Sequence, residues 1–279
     1  MQDIVDEIIS CGYDNLNDIQ IPYDTKVGLE VIRDSVKYEF IIHLKSNSDK
    51  LLVMGPGAIN DNSNHDRSRP IFHRWSWEFD VSTIHFNDPT LYLSDNILGG
   101  WGLGSMDNWY LKKISNIFNI LISKFGLKNE NVIFYGSSLG GFMSIMLATM
   151  VKDSVAIAEI PQLDVMNWSK HWKFLRENLF DNLSDEYIRE RFGYKLDVIN
   201  LMKIEKYIPN AYLLLDCSHD YDFKNIYLPF FNRLNELPFD EKKHNLKIKI
   251  TGKNKGHAFL PYHELVVLVN QVIAIMDNK

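Results

Sequence analysis

Short apolar runs rich in Val, Ile, Phe and Tyr alternate along the chain with longer stretches whose apolar positions fall at helical intervals. That rhythm predicts an α/β protein, a mostly parallel central sheet flanked by helices. Residues 28–33 and 37–44 read as strands joined by a tight polar turn at Asp34 and Ser35, 50–54 runs into Gly55-Pro56-Gly57, and 81–86 follows. Between 107 and 125, Trp109, Ile114, Ile117, Phe118, Leu121, Ile122 and Phe125 share one helix face, and Gly126 stands where a C-terminal cap is expected. The apolar strand 131–135 leads at once into GSSLGG and the helix-like FMSIMLATM, and strands at 154–160, 211–216 and 246–251 precede a closing helix at 262–276. From 162 to 209 the rhythm lapses. Trp168, His171, Trp172, Phe174, Phe180, Tyr187, Phe192 and Tyr194, mixed with balanced charge, predict a helical insertion there, a cap above the sheet, ahead of the strand that carries the candidate acid. No repeat or Pro/Ser-rich linker intervenes, so a single domain over 1–279 is expected, with an excursion at about 162–209.

Composition narrows the class. The chain has 279 residues, 46% of them hydrophobic, enough to bury a sizeable core. A formal charge of −6 without a basic block argues against nucleic acid as a partner, since phosphate neutralisation needs clustered Lys and Arg. Cys11 and Cys217 alone make no disulfide framework. The segment MQDIVDEIIS lacks the basic start and apolar core of a signal peptide, and no apolar run approaches the roughly 18 residues of a membrane span. A cytoplasmic enzyme is the leading class, and no metal-ligand spacing stands out.

Gly136-Ser137-Ser138-Leu139-Gly140 fits G-x-S-x-G, and its context is what makes it specific: an apolar strand ends at Tyr135 and an apolar helix starts near Gly141. A serine there sits on a sharp turn that projects its hydroxyl above the sheet. A plain glycine-rich turn or a phosphate loop is the alternative, but the glycine spacing and the missing P-loop lysine speak against the latter. A serine nucleophile needs a base oriented by an acid, in the chain order Ser, Asp or Glu, His. His257, in the loop after 246–251, is the base expected, the other eight histidines reading as surface or packed residues. Asp220, in the loop after 211–216, ranks first as the acid. Asp222, placed to cap a helix from near Phe223, ranks second, Asp216 third, and Asp164, after the preceding strand, is an outside candidate. The oxyanion donors expected are the N–H of Leu139 and, because Pro56 has none, that of Gly57, with Ala58 next.

Phe72-His73-Arg74-Trp75-Ser76-Trp77 and the glycine-rich 99–104 segment around Trp101 are rich in large aromatics for loops. Arg74, Trp75, Trp77 and Trp101 are candidates for holding a sugar or an anionic group, against the equal alternative that the tryptophans pack beneath the loops. Lys242, Lys243, Lys247, Lys249, Lys253 and Lys255 make a basic edge before His257, read first as a solvated face and second as steering for an anionic substrate.

Together, GSSLGG, the order Ser138, Asp220, His257 and the glycine loop at 55–57 resemble the α/β-hydrolase superfamily from about Val27 onward. FHRWSW, DPTLYL at 88–93, FYGSSLGGF at 134–142 and Pro161-Gln162 are similar to bacterial capsule and surface-polysaccharide O-acetyltransferases of that fold. The resemblance implies an acetyl-serine intermediate, acetyl-CoA as cosubstrate with no bound cofactor, a polysaccharide or sugar acceptor, and a cytoplasmic site of action beside capsule-assembly machinery at the inner membrane face. Met54, where many relatives carry His, and Pro56 depart from the usual oxyanion loop, which bears on Gly57 rather than on the triad. A carboxylesterase or deacetylase, and a non-catalytic capsule-assembly scaffold, are the competing expectations; the acceptor sugar and oligomeric state are not legible.

Overall fold

The computed structural model describes residues 1, 4–59, 66, 69–239, 245–251 and 259–278. Among them nine strands form one sheet: β1 (Glu7–Gly12), β2 (Lys26–Arg33), β3 (Val36–His43), β4 (Leu51–Met54), β5 (Ser82–Phe86), β6 (Val132–Ser137), β7 (Val155–Glu159), β8 (Asn210–Asp216) and β9 (Leu246–Thr251). Their order is β1-β2-β3-β5-β4-β6-β7-β8-β9. β3 runs antiparallel to β2 and β5, and every other neighbouring pair is parallel.

The central strands are apolar along most of their length because both of their faces are covered. Val132 and Phe134 of β6, Ala156 and Ala158 of β7, and Ala211, Leu213 and Leu215 of β8 enter one core with α1 (Tyr110–Lys124), α2 (Leu139–Met150) and the insertion helices. Their alternates Ile133, Tyr135, Val155, Ile157 and Leu214 enter a second core with Leu265, Leu268, Val269 and Val272 of a C-terminal helix at Tyr262–Asp277. All of α2 is buried, as its unbroken apolar sequence requires. α1 ends as expected: Gly126 takes φ +68, its N–H bonds Ser123 O at 3.0 Å, and Leu127 N–H bonds Ile122 O at 3.0 Å.

β1 has no counterpart in the hydrophobic pattern. It lies at the edge of the sheet with its residues exposed or half-buried, so no alternation of apolar and polar positions marks it. The 162–209 stretch is helical, with α3 (Ser169–Leu179), α4 (Asp185–Leu196) and α5 (Val198–Glu205) between β7 and β8. Ser184 and Asp197 cap α4 and α5, their side chains accepting from Tyr187 N and Asn200 N. Lys195 of α4 is fully buried between the Phe180 and Phe192 rings and donates to Ser105 O (2.8 Å) and Met106 O (3.2 Å), and burial lowers its pKa to about 8. Beyond β8, α6 (Asp220–Asp222) passes through a π-helical turn (Phe223–Tyr227) into α7 (Leu228–Asn235), and α8 is the C-terminal helix Tyr262–Asp277. Among the described residues no helix is long and apolar enough to cross a membrane.

Candidate active site

The junction between β6 and α2 is dictated by sterics. A Cβ on Gly136 would run into the backbone of Gly140, and one on Gly140 would meet Pro56 O at 2.8 Å. Two glycines therefore let strand, helix and the 55–58 loop close on one point. Ser138 between them takes φ 56, ψ −117, a conformation that costs a non-glycine residue on the order of 1–3 kcal/mol. The surroundings hold it there. Its N–H donates to Glu159 O (2.8 Å), and its carbonyl accepts from Phe142 N (3.2 Å) and Gln162 N (3.1 Å). Ser138 is half-buried, while Ser137 is buried and its Oγ accepts from the Arg74 guanidinium at 2.6 Å.

Leu139 opens α2, so its N–H points out of the positive end of a fully buried helix. Gly57 differs from expectation: its N–H already donates to His73 Nδ1 at 3.0 Å, so in this arrangement it is not offered to a substrate. For Trp101 the packing alternative holds. It is wholly buried, edge-on to His171 at 5.6 Å, because Asp88 accepts from Gly102 N (2.8 Å) and Thr90 Oγ1 from Gly104 N (3.0 Å), pulling the glycine-rich loop into the core. It cannot present a face to a sugar. Gly99 of the same loop packs tightly on Leu139.

Arg74 lies at the elbow with its guanidinium 5.3–5.4 Å from the centroids of Trp77, Tyr135 and Phe259. Trp77 packs at a tilt on Tyr262, centroids 5.3 Å apart, and Trp75 is exposed. Pattern reading passed over Tyr135 and Glu159. The Tyr135 hydroxyl donates to Glu159 Oε2 at 2.9 Å, and Glu159 Oε1 accepts from Leu260 N. Burial raises the Glu159 pKa against these bonds and the nearby Arg74. Its one sequence signal is a carboxylate closing the otherwise apolar strand VAIAE.

The aspartates at and beyond the end of β8 differ in their surroundings, with Asp216 and Asp222 buried and Asp220 exposed. Asp220 is in solvent, paired with Lys224 Nζ at 2.8 Å, which holds its carboxyl below the usual range. Asp222 is buried with its carboxylate 3.2 Å from His219 Nδ1. It is not the helix cap expected, because the helix starts earlier and His219 takes that position. Asp216 accepts from Ser218 N (2.9 Å) and Oγ (2.6 Å), bracing the turn. Asp164 is engaged elsewhere, bonded to Arg189 at 2.9 Å beside the Asp197–Arg233 pair. His257, Gly256 and the Lys242, Lys243, Lys253 and Lys255 portion of the basic edge lie outside the described residues; Lys247 sits 5.1 Å over the Tyr212 ring. Among the described residues no group of His, Cys, Asp and Glu gathers in a metal-binding arrangement.

Sheet order, crossovers and the strained serine between β6 and α2 define an α/β-hydrolase fold. No protein-family model and no curated protein matches the chain. Among solved structures it is similar to the capsule O-acetyltransferase of Neisseria meningitidis serogroup A, with a TM-score of 0.58 and 15% identity over 86% of this chain and 95% of that one. It is also similar to a fluorophosphonate-binding serine hydrolase of Staphylococcus aureus (TM-score 0.56, 16% identity, 92% of this chain and 100% of that one). An esterase of Thermogutta terrifontis matches with a TM-score of 0.54 and 13% identity over 87% and 91% of the two chains. Another structure of the Neisseria enzyme, a variant, is a complex with CoA.

Proposed function

We propose that the chain is a serine-nucleophile acyltransferase that moves an acetyl group from acetyl-CoA to a hydroxyl of a capsular or other surface polysaccharide. The observation that carries this reading is Ser138, held at φ 56 between β6 and a buried helix. A serine held at a strained positive φ where a strand turns into a buried helix has the backbone geometry of a nucleophile elbow. Ser138 Oγ attacks the thioester carbonyl while His257 takes its proton, and the oxyanion that forms is met by Leu139 N–H. His257 returns the proton to the departing CoA sulfur, leaving acetyl-Ser138. The acceptor hydroxyl then gives its proton to His257, attacks the ester, and leaves as the acetylated sugar as Ser138 recovers the proton.

Burial supports Asp222 as the acid ahead of exposed Asp220, while buried Asp216 is taken up by Ser218. A carboxylate that stabilises an imidazolium acts most strongly out of water, and Asp220 is neutralised by Lys224 in solvent. The fold shared with a capsule O-acetyltransferase over nearly its whole length supports transfer, and a cytoplasmic site of action is part of the same reading. The fold shared with an esterase supports hydrolysis as the second reading. Incubation with acetyl-CoA and candidate polysaccharides, followed by mass spectrometry, separates them. Acetylated sugar is expected. Free acetate alone would make the protein a hydrolase, and unconsumed acetyl-CoA with no ester cleaved would favour a scaffold.

A further inference from the structure

The insertion between β7 and β8 meets the loop after β5 in a cleft that the acyl-transfer chemistry leaves unused. Its volume is about 570 Å³, with Met106 and Asp107 on one wall and Tyr187, Arg191, Phe192 and Tyr194 of α4 on the other. A second cleft of about 410 Å³, bounded by Tyr187, Glu190 and Arg191, adjoins it across the two side chains they share. The walls leave the sheet at the C-terminal ends of β5 and β7, parallel strands that lie on either side of the elbow strand β6. Gly99, on the loop that continues into the first wall, packs on Leu139 at the elbow.

The two walls are fixed to each other. Lys195 of α4, fully buried, donates to Ser105 O (2.8 Å) and Met106 O (3.2 Å), and the Tyr194 ring packs edge-on against Trp109 at 5.4 Å. A buried amine is costly unless its hydrogen bonds are met, and here those bonds join one wall to the other. The side chains left in solvent are chemically mixed. Tyr187 is 51% exposed, Arg191 is exposed with no hydrogen-bond or ion-pair partner among the described residues, and the Asp107 and Glu190 carboxylates are exposed beside the clefts.

Resting on the acyl-transfer reading, we propose that this groove binds the acceptor, as a neutral saccharide chain. The electron-rich faces of the tyrosine rings suit the C–H side of a sugar, while a guanidinium donates to the ring hydroxyls and a carboxylate accepts from them. Charge selects among ligands. Arg191 is the one cation lining either cleft among the described residues, against Asp107 and Glu190, so the phosphates of CoA or the carboxylates of an acidic saccharide would meet more negative than positive charge. An extended peptide would need a sheet edge to pair with, and both walls are helix or loop.

The test is binding of the full chain to an array of neutral and acidic bacterial polysaccharides, read before acetyl-CoA is added, with melting temperatures for every variant. Neutral glycans should bind, and free CoA should not displace them. Arg191→Ala should weaken that binding roughly tenfold or more, the worth of a hydrogen bond to a charged group, and Tyr187→Ala by about as much. Arg191→Lys keeps the charge without the planar fork and should recover part of the loss. Both side chains are exposed, so the variants should melt with the parent. A preference for acidic glycans, no bound glycan, displacement by CoA, or binding unchanged in both alanine variants would overturn the proposal while leaving the nucleophile in place. Groove-dependent binding of a neutral glycan that is never acetylated when acetyl-CoA follows would overturn the acyl-transfer reading and leave the groove a saccharide site.

Discussion

The junctions at the ends of β6 and β8 are assembled from the same parts, a buried apolar strand, a short polar turn and a helix, yet they are determined in different ways. At β6 the outcome is local. Gly136 and Gly140 leave no room for a Cβ, the backbone path follows, and Ser138 is the residue left at the apex. At β8 the turn carries Asp216, Asp220 and Asp222 with nothing in its backbone to choose among them. What separates them is environment: Asp220 in solvent with Lys224, Asp216 buried and bonded to Ser218, Asp222 buried beside His219. A site residue set by backbone sterics can be read from a motif, whereas one set by packing depends on residues far away in the chain.

The largest effects should come from breaking the β6 junction. Gly136→Ala forces a Cβ into the Gly140 backbone, and a protein that fails to fold, or melts far below the parent, is expected. Ser138→Ala should fold and lose on the order of 10³-fold or more in turnover, with Ser137→Ala much milder. Ser138→Gly, equally inactive, relieves the positive φ and should melt no lower than Ser138→Ala. A Ser137→Ala enzyme that is dead beside an active Ser138→Ala would show the elbow to be registered on the wrong serine.

The β8 junction gives the next largest effect. Asp222→Asn keeps the shape of the buried side chain and removes its charge, so turnover should fall by up to roughly 10⁴-fold, the loss typical of a triad acid, with substrate affinity little changed. Asp220→Asn should leave turnover near the parent's. The reverse outcome, in proteins shown by melting to be folded, would restore Asp220 to the triad and make burial the wrong criterion.

The same division separates what the sequence made legible from what it did not. The central strands and α2 announce themselves because they are apolar on every side, and the elbow because its glycines are obligatory. β1 is invisible because an exposed edge strand need not alternate. Residue type leaves Trp101 open between platform and packed side chain and suggests Gly57 as a donor, but their states are set by partners distant in sequence: Asp88 and Thr90 draw the Trp101 loop inward, and His73 takes the Gly57 N–H. Glu159 went unnoticed for the same reason. Its partners come from β6 and from the segment ahead of α8, a meeting that only the folded sheet brings about.

The smallest expected effect sharpens the comparison at its exposed end. The Asp220–Lys224 pair joins residues one helical turn apart, with side chains 84% and 63% exposed, so solvent and salt screen most of its attraction. Lys224 nevertheless holds the Asp220 carboxyl below its ordinary range. A lowered folded-state pKa means that any stabilisation is present above the unfolded-state value, near 4, and is lost as pH falls through the folded one. At neutral pH, Lys224→Ala should therefore leave the melting temperature and the turnover indistinguishable from the parent's, and whatever small difference exists should vanish in high salt. A Lys224→Ala protein that loses turnover at neutral pH while melting normally would show that this surface pair reaches the chemistry, and that burial alone does not separate the two aspartates.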